Sequence, residues 1–253
     1  MRKSQKFIGT ACGAVALLAF GAGPALAASG TVNANLNPVE GSEVDGSGTA
    51  MVRVTGNTIT VTMAAQGLLP DQPHAAHIHF GADARHECPT LDDDDNDDGQ
   101  LTTTEGAPAY GPIVVSLTKT GDTSPDSALA VDRFDTAKGG EISYERGSIK
   151  VKSGVAEAIA DGKSVVVIHG VDHNDDGKYS GDEKSELDDS LPAEATDPAL
   201  CGALSNAPSG GMGTGLGGAA AGPNESLIAL GGAFVLAAAG TGAFAARRAR
   251  ARI

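Results

Sequence analysis

Ala50-Met51-Val52-Arg53-Val54-Thr55-Gly56-Asn57-Thr58-Ile59-Thr60-Val61-Thr62-Met63 alternates apolar and polar residues on either side of a Gly-Asn pair. A period of two belongs to a strand with one buried face. Gly56 and Asn57 accept the positive φ of a tight hairpin turn, so two antiparallel strands are expected at residues 50–54 and 58–63. Similar short apolar runs recur at 31–36, 75–80, 113–117, 149–151 and 165–168, and only 155–160 reads as a helix. The expected fold is all-β, a sandwich or barrel over residues 28–207, with long loops at 88–111 and 171–199.

The ends of the chain have a different composition. Arg2, Lys3 and Lys6 precede an apolar run that closes on Ala25-Leu26-Ala27, the pattern of a secretory signal at residues 1–27. Cys12 leaves with that signal, so Cys88 and Cys201 remain. In an oxidising compartment they predict one disulfide, the alternative being two buried free thiols.

Residues 227–246 hold 20 uncharged residues, enough to cross about 30 Å of hydrocarbon as a helix. Arg247, Arg248, Arg250 and Arg252 follow as a basic tail (247–253), which sets the domain outside and the tail inside the cell. Gly, Ala and Ser dominate the linker at 208–226, a composition that buries too little apolar surface to fold. The expected location is therefore a single-pass cell membrane protein displaying its domain outward. A faint likeness to a cell-wall sorting signal at Gly213-Thr214-Gly215 keeps cell-wall attachment as an alternative.

Of 18 basic residues, three precede the cleavage point and four follow the span, leaving 11 against 32 acids on the displayed part. That surface repels nucleic acid and attracts cations, so nucleic acid is excluded as a partner.

Two acidic segments carry the most specific pattern. Asp94, Asn96, Asp98, Gln100, Thr102 and Glu105 occupy places 1, 3, 5, 7, 9 and 12 of a twelve-residue calcium loop, with Gly99 at place 6. Asp172, Asn174, Asp176, Lys178, Ser180 and Glu183 repeat it around Gly177, with Gln100 and Lys178 contributing backbone carbonyls. A hard cation wants six to eight oxygens, and alternate residues of a tight loop converge on one centre. Two calcium ions are expected, in loops inserted between strands; the alternative is a solvated acidic run. Pro108 argues against a helix leaving the first loop.

All six histidines lie near these loops. His77 and His79 alternate on one expected strand and His169 ends another, so three imidazoles could converge on copper or zinc, with His86 or His173 as a fourth ligand. The alternative is a set of hydrogen-bonded framework histidines.

His77-Ile78-His79-Phe80-Gly81, Cys88, Val165-Val166-Val167-Ile168-His169-Gly170 and Leu200-Cys201-Gly202 resemble, in order and spacing, the copper strand, later copper histidine and disulfide of the copper/zinc superoxide dismutases. The same His-Ile-His and strand-end His resemble CHRD-domain proteins. The tract from Pro108 to Phe134, with Pro112, Thr120 and Pro125, is most similar to secreted bacterial members of that family. The resemblance implies a Greek-key sandwich, copper on His77, His79 and His169, and a Cys88–Cys201 disulfide.

The chain departs from the dismutases in its loop after Cys88, which has no histidine and holds the first calcium motif. Pro198 stands where their guiding arginine would be. The expected function is thus a non-enzymatic, calcium-stabilised CHRD module that binds an extracellular or envelope partner. The alternative is a copper-binding, dismutase-like protein that holds the metal or cycles it.

Overall fold

The computed structural model describes residues 27–206. Residues 1–26 of the signal segment expected at 1–27, the expected linker at 208–226, the apolar stretch 227–246 and the basic tail lie outside the described residues. Among those described, no helix is long and apolar enough to cross a membrane.

The hairpin forms where the alternation places it. Strand β1 (Ser29–Pro38) pairs with β2 (Ser47–Thr55), and β2 pairs with β3 (Thr58–Gln66) across a two-residue turn in which Gly56 has φ +57°. Beyond them come β4 (Pro73–His74), β5 (Ala76–His79), helix α1 (Thr103–Tyr110), β6 (Ile113–Ser116), β7 (Asp135–Thr136) and β8 (Ile142–Lys150). Helix α2 (Ser153–Ala160), β9 (Val165–His169), β10 (Pro198–Ala203) and β11 (Ser205–Asn206) follow.

Nine strands join in one antiparallel sheet ordered β6-β5-β9-β10-β1-β2-β3-β8, with β11 on β1, while β4 and β7 pair separately. Val52 and Val61 at one end of this order share a buried cluster with Ile78, Val166 and Ile168 at the other. The sheet therefore curls over its own apolar face. The edges β6 and β8 do not pair with each other, so the observed fold is a mostly-β curled sheet.

Three local expectations need correction. A helix does leave the first acidic loop, because Thr102 and Glu105 cap each other's backbone across its first turn. Pro108 sits inside that helix and removes one backbone donor from an element only eight residues long. The strand expected at 149–151 is instead the last part of β8: Thr60 faces both Gly147 and Ser148 at a bulge, which shifts the alternation by one residue. Strand β10 has no expected counterpart.

Cys88 and Cys201 are bonded, tying the loop before α1 to β10 across 113 residues. A cross-link over so long a loop restricts the unfolded chain strongly. Replacing both cysteines with serine should lower the unfolding free energy by about 3–5 kcal/mol in urea titration. An unchanged midpoint would show that the bond adds nothing.

Candidate metal centre

Strand period decides what reaches the outer face of the sheet. On β5, Ile78 enters the core cluster while His77 and His79 point the other way; on β9, Val166 and Ile168 enter it while Val165, Val167 and His169 do not. His77 lies opposite Val167 and His79 opposite Val165, so the three imidazoles meet on one patch. Tyr110 packs on it, and the three histidines are only 1–2% exposed.

One nitrogen of each ring contacts a backbone carbonyl: His77 Nε2 to Ala128 at 3.0 Å, His79 Nδ1 to Gly111 at 2.8 Å and His169 Nδ1 to Thr196 at 2.6 Å. A carbonyl only accepts, so these nitrogens carry the hydrogens and the tautomers are set. The remaining nitrogens, His77 Nδ1, His79 Nε2 and His169 Nε2, are lone-pair acceptors with no hydrogen-bond partner among the described residues. One ligand nitrogen from each lies within 4.8 Å of the others. Each buried, unpaired acceptor costs about 1–3 kcal/mol, and three aimed at one point are what a soft cation needs.

The carbonyls are themselves held. Gly111 caps α1, and Thr103 at the start of that helix donates its hydroxyl to the Thr196 carbonyl at 2.6 Å. The Tyr110 ring stacks at a tilt on His79 with centroids 4.4 Å apart, and Phe134 meets His77 edge-on at 5.3 Å. His74, which the sequence did not single out, reaches the His169 carbonyl with Nδ1 at 2.8 Å.

Neither expected fourth ligand joins the group. His86 Nε2 donates to the Gly81 carbonyl at 2.8 Å and its ring stacks on Phe80. His173 faces Asp197 at 3.5 Å and Glu43 at 4.0 Å. Burial alone would lower the His173 pKa, but Asp197, Glu194 and Glu43 together outweigh it and the net shift is upward. Burial raises the Asp197 carboxyl to about 6.

The two acidic loops share one backbone design. Place 1 accepts from the glycine at place 6 (Asp94 from Gly99, 2.8 Å; Asp172 from Gly177, 2.9 Å). Place 3 accepts from place 5 (Asn96 from Asp98, 2.9 Å; Asn174 from Asp176, 3.0 Å), and place 5 from place 7 (Asp98 from Gln100, 2.8 Å; Asp176 from Lys178, 3.1 Å). Places 4 and 6 are left-handed in both: Asp97 and Gly99, Asp175 and Gly177. These turns aim the oxygens inward.

The loops close differently. Glu105 accepts from the backbone N–H groups of places 2 and 9, Asp95 at 3.2 Å and Thr102 at 2.9 Å. In the second loop the same donors, His173 at 3.0 Å and Ser180 at 2.7 Å, go to Glu194 and not to Glu183. Glu194 is buried in a 3-10 turn (Ala193–Ala195), whereas Glu183 is exposed and its carboxylate takes none of these bonds. Motif spacing along twelve residues could not have shown this, because the acid arrives from outside the motif.

Burial is the largest cause of low basicity in the triad: His79 falls to about 3, His169 to about 4, and His77 well below its usual 6.5. Mutual repulsion with the neighbouring rings adds to the effect at His77 and His79. A histidine whose folded pKa is depressed takes its proton only in the unfolded chain, so stability is whole above pH 6.5 and is lost as pH falls towards 4. Each histidine contributes up to about 1.4 kcal/mol per pH unit in that window. Urea midpoints of the metal-free domain should fall between pH 7 and pH 5. A His169→Gln variant should fall less steeply, and equal slopes would contradict the assignment.

The CHRD domain family model matches residues 27–181, which include the three histidines, Cys88, all of the first acidic loop and most of the second but exclude Glu194, Thr196 and Cys201. A comparison with curated proteins finds no match. With the family model covering more than half of the chain, this protein belongs to the CHRD-domain family.

Proposed function

We propose that this CHRD domain is a metal-holding binding module, displayed outside the cell on a membrane anchor, in which His77, His79 and His169 hold one ion of the copper class. The observation that carries the reading is the set of three orphaned ring nitrogens facing one another, each on a ring whose other nitrogen is fixed by a carbonyl. A framework histidine has no need to turn its free lone pair towards two others. The resemblance to the dismutase copper strand supports the same metal class.

Holding is favoured over turnover. The triad is covered on all sides, no arginine or lysine lines the cavity beside it, and the domain's acidic excess would repel an anionic substrate. Purified chain should take up one copper per molecule by elemental analysis, and His77→Gln, His79→Gln or His169→Gln should each reduce that uptake at least about tenfold. Dismutation no faster than that of free copper is expected, and a rate well above it would favour the enzymatic reading.

A calcium-stabilised framework is the second part of the proposal, supported by the matched turns and closing acids of the two loops. Four carboxylates or amides per loop, Asp94, Asn96, Asp98 and Glu105 in the first and Asp172, Asn174, Asp176 and Glu194 in the second, supply the oxygens that a hard cation between them would take. Chelating calcium should lower the melting temperature by several degrees. Glu105→Gln and Glu194→Gln should each remove part of that response, whereas Glu183→Gln should leave it intact. A full response in Glu194→Gln would return the closing role to Glu183.

A further inference from the structure

Two of the three carbonyls that fix the triad are supplied or held by opposite ends of helix α1. At its start, the Thr103 hydroxyl donates to the Thr196 carbonyl at 2.6 Å, the same oxygen that takes the His169 Nδ1–H at 2.6 Å. At its end, the cap residue Gly111 supplies the carbonyl for the His79 Nδ1–H at 2.8 Å. The third carbonyl, that of Ala128, follows a 3-10 turn outside the helix.

The two ends are tied to each other. Tyr110, fully buried, donates its hydroxyl to the Thr103 carbonyl at 2.8 Å, while its ring lies on His79. Gly106 lets that ring pass, because a Cβ there would come within 2.6 Å of it. Gly111, at φ +85°, seats the helix end on the residues that follow β5, where a Cβ would stand 2.5 Å from the Gly81 nitrogen. The segment that carries Thr196 is clasped by the first helical turn at a second point: Glu186 accepts the Thr104 N–H at 2.8 Å, and the adjoining Ser185 accepts the Thr196 hydroxyl at 2.8 Å.

A helix of eight residues has little stability of its own, and Pro108 removes one of its donors. Its order is therefore drawn from these contacts, and the imidazoles are among them. An ion bound at the three free ring nitrogens stops the rings from turning, and each stationary N–H then holds its carbonyl in place. Binding the ion and ordering the helix favour each other, and by linkage the effect is reciprocal.

Resting on the reading of the triad as a metal-holding site, we infer that α1 is a clamp that assembles it, with retention of the ion coupled to the order of the helix. The helix positions His169 from its first residue and His79 from its cap. Thr103 is the positioning residue of the clamp and touches no ion itself. Tyr110 is the brace that makes the two ends act together.

Copper affinity of the purified, disulfide-bonded chain, read by chelator competition, should fall about tenfold in Thr103→Val and recover to within about twofold in Thr103→Ser. Equal affinity in Thr103→Val would overturn the positioning role. Amide hydrogen exchange across residues 103–111 should slow at least about fivefold when copper is bound, and Tyr110→Phe, which keeps the ring on His79, should lose part of that protection. Exchange unchanged by copper would overturn the coupling while leaving the metal-holding function standing.

The metal-free chain separates the clamp from the metal. In ring N–H exchange followed by NMR, Thr103→Val should expose the His169 Nδ1–H and leave the His77 Nε2–H, whose acceptor lies outside the helix, as protected as before. Equal exposure of both rings would reduce Thr103 to a general contribution to stability and overturn its assignment. Failure of the parent chain to take up copper would overturn the metal-holding function and the coupling together, whereas a response confined to His169 would still uphold the clamp.

Discussion

Three backbone carbonyls, those of Ala128, Gly111 and Thr196, each take the N–H of one imidazole, and the site is arranged around that constraint. Without them, each ring could rotate or change tautomer and satisfy itself locally. With them, three acceptors are committed to one buried point, an arrangement that a fold tolerates only where something offsets its cost. The carbonyls come from three separate places: the residue after a 3-10 turn (Pro125–Ser127), the end of α1 and the approach to β10. Outer-face architecture can thus be understood as the apparatus that delivers them.

The Thr196 carbonyl is where this apparatus converges. It receives the Thr103 hydroxyl, one residue beyond place 9 of the first acidic loop, and it lies two residues after Glu194, which closes the second. The second loop also touches the triad's support from the other side. Tyr179 lies against His74, and Gly170 leaves room for its hydroxyl where a Cβ would collide. Both loops are therefore built into the second layer around the histidines and are not appendages of the sheet.

Much of this was legible in the sequence, for reasons that can be stated. Strand alternation over 50–63 gave the hairpin, and the same period placed His77 and His79 on one face. The paired cysteines and the twelve-residue patterns are local signals of high specificity. What was hidden depended on longer range or on a break in phase. The bulge at Gly147 and Ser148 divided β8 into two halves that do not alternate as one strand. The cap formed by Thr102 and Glu105 outweighed the proline that argued against α1. Glu194, unlike Glu183, belongs to no contiguous motif, and the sheet edges, with their neighbours on only one side, leave no mark in a linear pattern.

That same bulge has a bearing on how such a domain behaves in numbers. Among the described residues strand β8 is an open edge of the sheet, and an unbroken edge offers its free backbone groups to any neighbouring copy. With Ser148 in a left-handed conformation and Glu145, Arg146 and Lys150 along the strand, the edge is twisted and charged where a flat one would template stacking. The irregularity that obscured a strand in the sequence is thus a safeguard against fibre-like association.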